Sequence, residues 1–176
     1  MSLTMRFDIN INEGHRNLLL VGSAEEPIEH MALRLTAALI FWELQPIIPP
    51  GHDHPAIVDL GYVPDFLCVD EAGGVAVWGE CGAASTNKMG KAVRKYGASR
   101  IVAFHHSLET GRRYRETLKE DLRTPSRVDI LAWKQEDFRP FVAALTERNY
   151  IVGQSFGHSI NLVLNDQVFD STLELL

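Results

Sequence analysis

Two carboxylates, Asp65 and Glu80, flank a short turn and are the residues best placed to do chemistry. Apolar, strand-like runs cover 65–70 and 75–81, and the segment 71–74 between them contains two glycines. A hairpin that is symmetric about this turn sets Asp65 directly across from Glu80. Cross-strand neighbours have Cβ atoms about 4.5–5.5 Å apart, so two ionised carboxylates there repel each other. The pair therefore needs a shared proton, a basic side chain or a divalent cation such as Mg²⁺.

The same symmetry predicts that Leu67 faces Trp78 and that Val69 faces Ala76. Both faces of the hairpin are then largely apolar, which is typical of central strands covered on both sides. The alternative is a register shifted by one residue, which leaves one carboxylate exposed and the other paired with an arginine.

Lysines follow the hairpin on a helix predicted over 86–96. Lys88 and Lys91 are three residues apart, so they share one face of its first turns, and Lys95 continues that face. Lysine near a helix N-terminus opposes the helix dipole, a cost that makes sense if the charge serves nearby carboxylates or a phosphate. A solvated basic face without a ligand is the alternative.

Further elements must hold these residues in place. A capping-box pattern at Ser23 and Glu26 opens a helix, and its apolar residues recur from Ile28 to Trp42 on one buried face. The stretch 46–64 is rich in Pro, Gly and His and predicts a long loop with a short strand at 56–60. Other predicted strands cover 5–11, 17–21, 100–104, 128–133 and a closing unit from 150 onward, and other predicted helices cover 108–122 and 136–147.

Composition fits one globular domain over residues 1–176, because 45% of the side chains are apolar and 23% are charged. The sequence has neither a membrane-spanning stretch nor an apolar secretory core, so a cytoplasmic protein is expected. Cys68 and Cys81 stand in apolar runs, which favours buried reduced thiols over a disulfide or metal site.

The net charge of −6 argues against non-specific coating of nucleic acid. Between Lys88 and Arg123, however, ten Lys or Arg stand against four acids. This segment is either a solvated helical surface or a phosphate-binding face.

Pro64-Asp65 followed by Glu80 at the end of a second strand resembles the PD-(D/E)xK motif of the restriction-endonuclease-like nuclease superfamily. Over nearly the whole chain, the order and spacing of motifs are similar to those of the YaeQ family of bacterial proteins. That resemblance rests on Glu29-His-Met-Ala-Leu-Arg34-Leu, Pro64-Asp65, Val77-Trp-Gly-Glu80-Cys-Gly82, Lys88-x-x-Lys91-Ala92 and Ala144-Leu-Thr-Glu-Arg148.

The resemblance implies an α/β (α+β) fold with a restriction-endonuclease-like core. In such a core a mixed central sheet is flanked by helices, and here an N-terminal hairpin and C-terminal strands are added. Asp65 and Glu80 would be metal-binding acids, with Glu29 on the first helix as a third.

The lysine is where this chain departs from the motif. In the motif it stands two residues after the second acid, and here that position is Gly82. Lys88 or Lys91 would supply the ammonium from the following helix instead, with Lys95 adding substrate contact. The implied activity is phosphodiester hydrolysis dependent on Mg²⁺ or Mn²⁺, in which the cation lowers the pKa of a bound water.

Two alternatives come from other classes of protein. One is a nuclease-like domain that has lost catalysis and binds nucleic acid or a protein partner. The other is a transition-metal site built around His52-Asp53-His54, although a Pro-rich loop carrying a chance His-x-His pattern is the favoured explanation of these residues. His105 and His106 follow a strand and are expected to be structural.

Overall fold

The computed structural model describes residues 2–176, which form two five-stranded mixed sheets and four α-helices. The helices are α1 (Ile28–Ile40), α2 (Thr86–Lys95), α3 (Leu108–Asp121) and α4 (Gln135–Ala143). The strands are β1 (Thr4–Ile11), β2 (Gly14–Val21), β3 (Phe66–Val69), β4 (Val75–Cys81), β5 (Arg100–His105), β6 (Val128–Ala132), β7 (Arg148–Phe156), β8 (Ser159–Leu164), β9 (Gln167–Thr172) and β10 (Glu174–Leu175). This is a mixed α+β architecture.

The first sheet has the strand order β2-β1-β7-β8-β9 and joins the two ends of the chain. β1 pairs with β2 as an antiparallel hairpin and with β7 in parallel, starting at Arg6 opposite Arg148. One face of this sheet is buried, because residues such as Phe7 and Ile151 alternate with exposed ones.

The second sheet has the order β10-β6-β5-β4-β3, with β4, β5 and β6 parallel to one another. Helices α2 and α3 pack on one face through a cluster that includes Trp78, Met89 and Leu118. The other face, with Phe66 and Phe104, packs against α1 in a core shared with the first sheet. The molecule is therefore layered as sheet, helices, sheet and helices.

Helix α1 differs from its prediction because it lies between the two sheets. Every residue from Met31 to Leu39 is buried, so the expectation of one buried face was wrong. The buried polar groups find partners: Thr36 donates to the carbonyl of Ala32 and accepts from Trp133 Nε1. The predicted capping turn exists, since Ser23 N–H donates to Glu26, but it precedes a helix that starts at Ile28.

Three other predictions about the elements differ from the structure. The predicted strand at 56–60 is wrong, because a 3₁₀ turn occupies Val58–Leu60. Helix α4 ends at Ala143, before the predicted 147. The predicted pairing of Val69 with Ala76 is wrong, because a β-bulge sets Val69 opposite Val75, and β3 is an edge strand and not a central one.

Both thiols are free and buried, as predicted. None of the helices in the described chain has the length and apolar character that crossing a membrane demands.

Candidate functional site

The β3–β4 hairpin brings the two predicted carboxylates together. Phe66 faces Gly79 and Leu67 faces Trp78, which is the register that hairpin symmetry predicts and which excludes the shifted alternative. Only glycine fits at position 79, because a Cβ there would lie 1.9 Å from Cζ of Phe66. The next pair outward is Asp65 and Glu80, whose carboxyl groups lie close enough that the charge of Asp65 raises the pKa of Glu80.

Asp65 lies just before β3 and accepts hydrogen bonds that favour its charged form. The backbone N–H of Cys81 donates to Asp65 Oδ2 over 2.8 Å, and His30 Nε2 lies 3.4 Å from the same oxygen. Burial alone would raise the pKa of Asp65, but the contacts with His30 and Cys81 outweigh it and lower that pKa. Asp65 is the ionised member of the pair.

Glu80 is 5% exposed and has the opposite character. Burial, and secondarily the charge of Asp65, raise the pKa of Glu80 to about 8, although Lys88 opposes the shift. Lys88 Nζ lies 2.5 Å from Glu80 Oε1 as an ion pair and donates to the carbonyl of Val63. The buried Glu80 Oε1 is therefore paired with the ammonium of Lys88.

Alternating charges continue from Asp65 into α1 and the turn before it. His30 Nδ1 contacts Glu26, and Glu26 Oε1 lies 3.2 Å from Nη1 of the buried Arg34. Hydrogen bonding to Asp65, together with the contact with Glu26, raises the pKa of His30 to about 9 against the effect of burial. His30 is therefore a cation at neutral pH and compensates the charge of Asp65, as Lys88 does for Glu80.

Sequence reasoning did not identify this network of alternating charges, which is formed by Glu26, His30 and Arg34. The signal was present, since the three residues stand at i, i+4 and i+8, a spacing that places an acid, a histidine and an arginine along one side of a helix.

The remaining predicted site residues lie farther from the carboxylate pair. Lys91 Nζ lies 4.9 Å from the ring centroid of Tyr62, and Lys95 is exposed in the last turn of α2. Of the three lysines, Lys88 is the one that contacts Glu80. Glu29 is exposed at the start of α1, one residue before His30.

His52, His54 and His105 lie outside this network. His54 accepts a hydrogen bond from Ala56 N–H within the loop, and His52 is exposed. His105 is buried against Tyr114, with ring centroids 4.9 Å apart, and burial lowers the pKa of His105 to about 4. Across residues 2–176, no three His, Cys, Asp or Glu side chains are grouped as metal ligands.

A cavity of about 530 Å³ lies beside the pair, at the carboxyl ends of β4 and β5. Neither Asp65 nor Glu80 lines it, but Cys81, whose N–H binds Asp65, does. Its other walls include Glu29, His30, Gly82, His106 and Arg139.

Together, fold and site define an α+β protein with a buried carboxylate pair that two protein cations flank. A scan against models of protein families found no match, and no curated protein matched the sequence. Among solved structures, the YaeQ protein from Xanthomonas axonopodis pv. citri matches with a TM-score of 0.74 at 13% identity, covering 99% of this chain and 98% of that one. The YaeQ protein from Pseudomonas syringae matches with a TM-score of 0.70 at 13% identity, covering 100% and 95%. This chain therefore has the YaeQ fold from end to end.

Proposed function

We propose that this chain is a member of the YaeQ family and has the core of restriction-endonuclease-like nucleases. The end-to-end similarity of fold supports the first part. The second part is supported by α1, the acid-bearing hairpin β3–β4, α2 and the parallel strand β5, which follow one another in the order that such a core requires.

On this basis, the site hydrolyses phosphodiester bonds of a nucleic acid with the help of a divalent cation. The observation that carries the proposal is the pairing of Asp65 with the buried Glu80, beside the ammonium of Lys88. Carboxylate oxygens are the ligands that Mg²⁺ and Mn²⁺ prefer, so this donor set fits such an ion. Glu29, on the neighbouring cavity wall, is the third candidate ligand.

A bound Mg²⁺ or Mn²⁺ supplies a water of lowered pKa and polarises the phosphoryl oxygen. The chain's own groups prepare the site. Cys81 N–H fixes the orientation of Asp65, and His30 balances its charge. Lys88, which the carbonyl of Val63 holds in place, provides the positive charge that stabilises the negative charge developing on the phosphate.

Cleavage of end-labelled DNA and RNA in Mg²⁺, in Mn²⁺ and in chelator tests the proposal. Asp65→Asn and Glu80→Gln should each reduce cleavage on the order of 10²-fold or more and weaken Mg²⁺ binding measured by calorimetry.

Lys88→Met should reduce cleavage while leaving Mg²⁺ affinity largely intact, because a lysine acts on the transition state more than on the ion. Asp170→Asn, at an exposed position on β9, is the matched control and should retain full activity. Metal-dependent cleavage that survives Asp65→Asn would reject the assignment.

A second candidate function is a nuclease-like module that binds nucleic acid or a protein partner without cutting. Its support is that Lys88 and His30 already neutralise the carboxylates and that glycine stands at the motif's lysine position. This candidate predicts binding without cleavage. Lys91→Ala or Lys95→Ala would then weaken nucleic-acid affinity and flatten its salt dependence.

A further inference from the structure

The cavity beside the carboxylate pair lies where ligands of parallel sheets usually bind, at the carboxyl ends of strands. Gly82 directly follows β4, and His106 directly follows β5. Gly82 has a φ of 90°, and nothing lies within 4 Å of the place where its Cβ would be. The position that a lysine occupies in the PD-(D/E)xK motif is therefore open space here.

Two helices start at this cavity, and neither start is capped by a side chain. Pro27 at the N-cap of α1 and Gln135 at the first position of α4 both line it. An uncapped N-terminus leaves backbone N–H groups free and carries the positive end of the helix dipole. Of the acids in these two first turns, Glu29 lines the cavity, whereas Glu136 and Asp137 do not.

A third source of positive charge comes from α4 itself. Arg139 lines the cavity, and within residues 2–176 its side chain has neither a hydrogen-bond nor an ion-pair partner. His106, also without a partner in that range, is half-buried and stacks on Phe138 with ring centroids 6.1 Å apart. An unpaired guanidinium beside two open helix N-termini is suited to binding phosphate, because it offers two parallel donors.

We propose that this cavity binds a phosphate of the nucleic-acid strand next to the bond that is cut, with Arg139 as the main ligand and His106 beside it. Arg139 then adds a positive charge for this neighbouring phosphate, whereas Lys88 serves the bond that is cut. The inference rests on the proposed function for its substrate. It adds a binding residue that lies outside every motif of the family resemblance.

The test is the binding of fluorescein-labelled DNA and RNA oligonucleotides to the full chain by anisotropy, over a series of salt concentrations in chelator. Arg139→Ala should weaken binding roughly tenfold and reduce the slope of log affinity against log salt by about 1. Arg139→Lys should keep the slope and recover part of the affinity. Arg148→Ala is the control, because Arg148 is exposed on the first sheet. Like that of Arg139, its side chain has no hydrogen-bond or ion-pair partner within residues 2–176.

Arg139 is exposed, so its replacement should leave the fold intact, and thermal unfolding of each variant checks this directly. If the wild-type chain cuts but Arg139→Ala binds and cuts as well as Arg148→Ala does, the inference fails and the proposed function stands. If the chain binds without cutting and Arg139→Ala weakens that binding, the inference stands and the nuclease proposal fails. A wild-type chain that binds neither DNA nor RNA overturns both.

Discussion

The two sheets handle charged residues in opposite ways. In the first sheet the face away from the core is open to water, and its ionisable groups, such as Arg6, Asp8 and Arg148, lie there. The second sheet is covered on both faces, so ionisable side chains on its strands, such as Glu80 and His105, are buried. Burying a charge is costly without compensation, and Lys88 provides that compensation for Glu80.

The largest expected contrast between the sheets concerns one aromatic residue in each. Phe66 on β3 is fully buried between the rings of Phe41 and Phe104, at 5.6 and 5.7 Å, whereas Phe156 on β7 is 89% exposed. Phe66→Ala should lower the free energy of unfolding by about 3–5 kcal/mol because it leaves a cavity. Phe156→Ala should change it by less than about 0.5 kcal/mol. Urea denaturation measures both, and equal losses would contradict the two-sided burial of the second sheet.

The next contrast is the loss of folding free energy in acid, which should come from His105 in the second sheet. Its folded-state pKa of about 4 lies below the ordinary 6.5, so the unfolded chain takes up a proton that the folded chain does not. The stabilisation is therefore complete above pH 6.5 and is lost as the pH falls toward 4, by about 3 kcal/mol in total. His105→Leu should remove this part of the acid dependence in urea titrations between pH 4 and 7. His15→Gln on the half-exposed face of the first sheet is the control, and an equal effect there would contradict the assignment.

Ion pairs should show a smaller contrast. In chelator, Lys88→Met should cost about 2 kcal/mol, because it removes the cation beside the buried Glu80, which can partly respond by taking up a proton. Arg6→Met breaks a 3.5 Å pair with Glu147 whose side chains are more than half exposed, and it should cost less than about 1 kcal/mol. Adding Glu80→Gln to Lys88→Met should restore stability. A double variant less stable than Lys88→Met alone would show that the lysine acts through packing.

The smallest effects should come from the two hairpin turns, with opposite signs. Glu13 in the β1–β2 turn has a φ of 63°, and Gly73 in the β3–β4 turn has a φ of 82° with open space around it. Glu13→Gly should stabilise the chain by up to about 1 kcal/mol, and Gly73→Ala should destabilise it by about 1 kcal/mol. Thermal unfolding resolves both signs, and a loss of stability in Glu13→Gly would show that this side chain has a role the turn geometry does not reveal.

Local patterns predicted much of this structure. The hairpin register follows from the positions of the turn glycines, and α2 begins after Ser85, which caps it by accepting from Lys88 N–H, because serine is a strong capping residue. Tertiary contacts could not be predicted in the same way. The burial of α1 on all sides depends on the first sheet, which combines strands from both ends of the chain and which no local spacing encodes.

For the site, the sequence identified Asp65 and Glu80 as partners but left their compensation open among a proton, a cation and a basic side chain. The answer depends on side chains from separate elements. Lys88 reaches Glu80 because only four residues separate the end of β4 from the start of α2, and His30 on α1 reaches Asp65 just before β3. Arg139 and His106 meet in one cavity only once β5 and α4 have packed, so no motif connects them.

The parallel pairing of β1 with β7 sets the order in which a newly made chain can mature. The first hairpin is made before the strand it pairs with, because the partner of Arg6 is Arg148, 142 residues later in the chain. At translation rates of about 5–20 residues per second, this hairpin waits on the order of ten seconds with an unpaired strand edge. Such an unpaired edge can pair with a strand of another chain until β7 has been made. The first sheet therefore closes last.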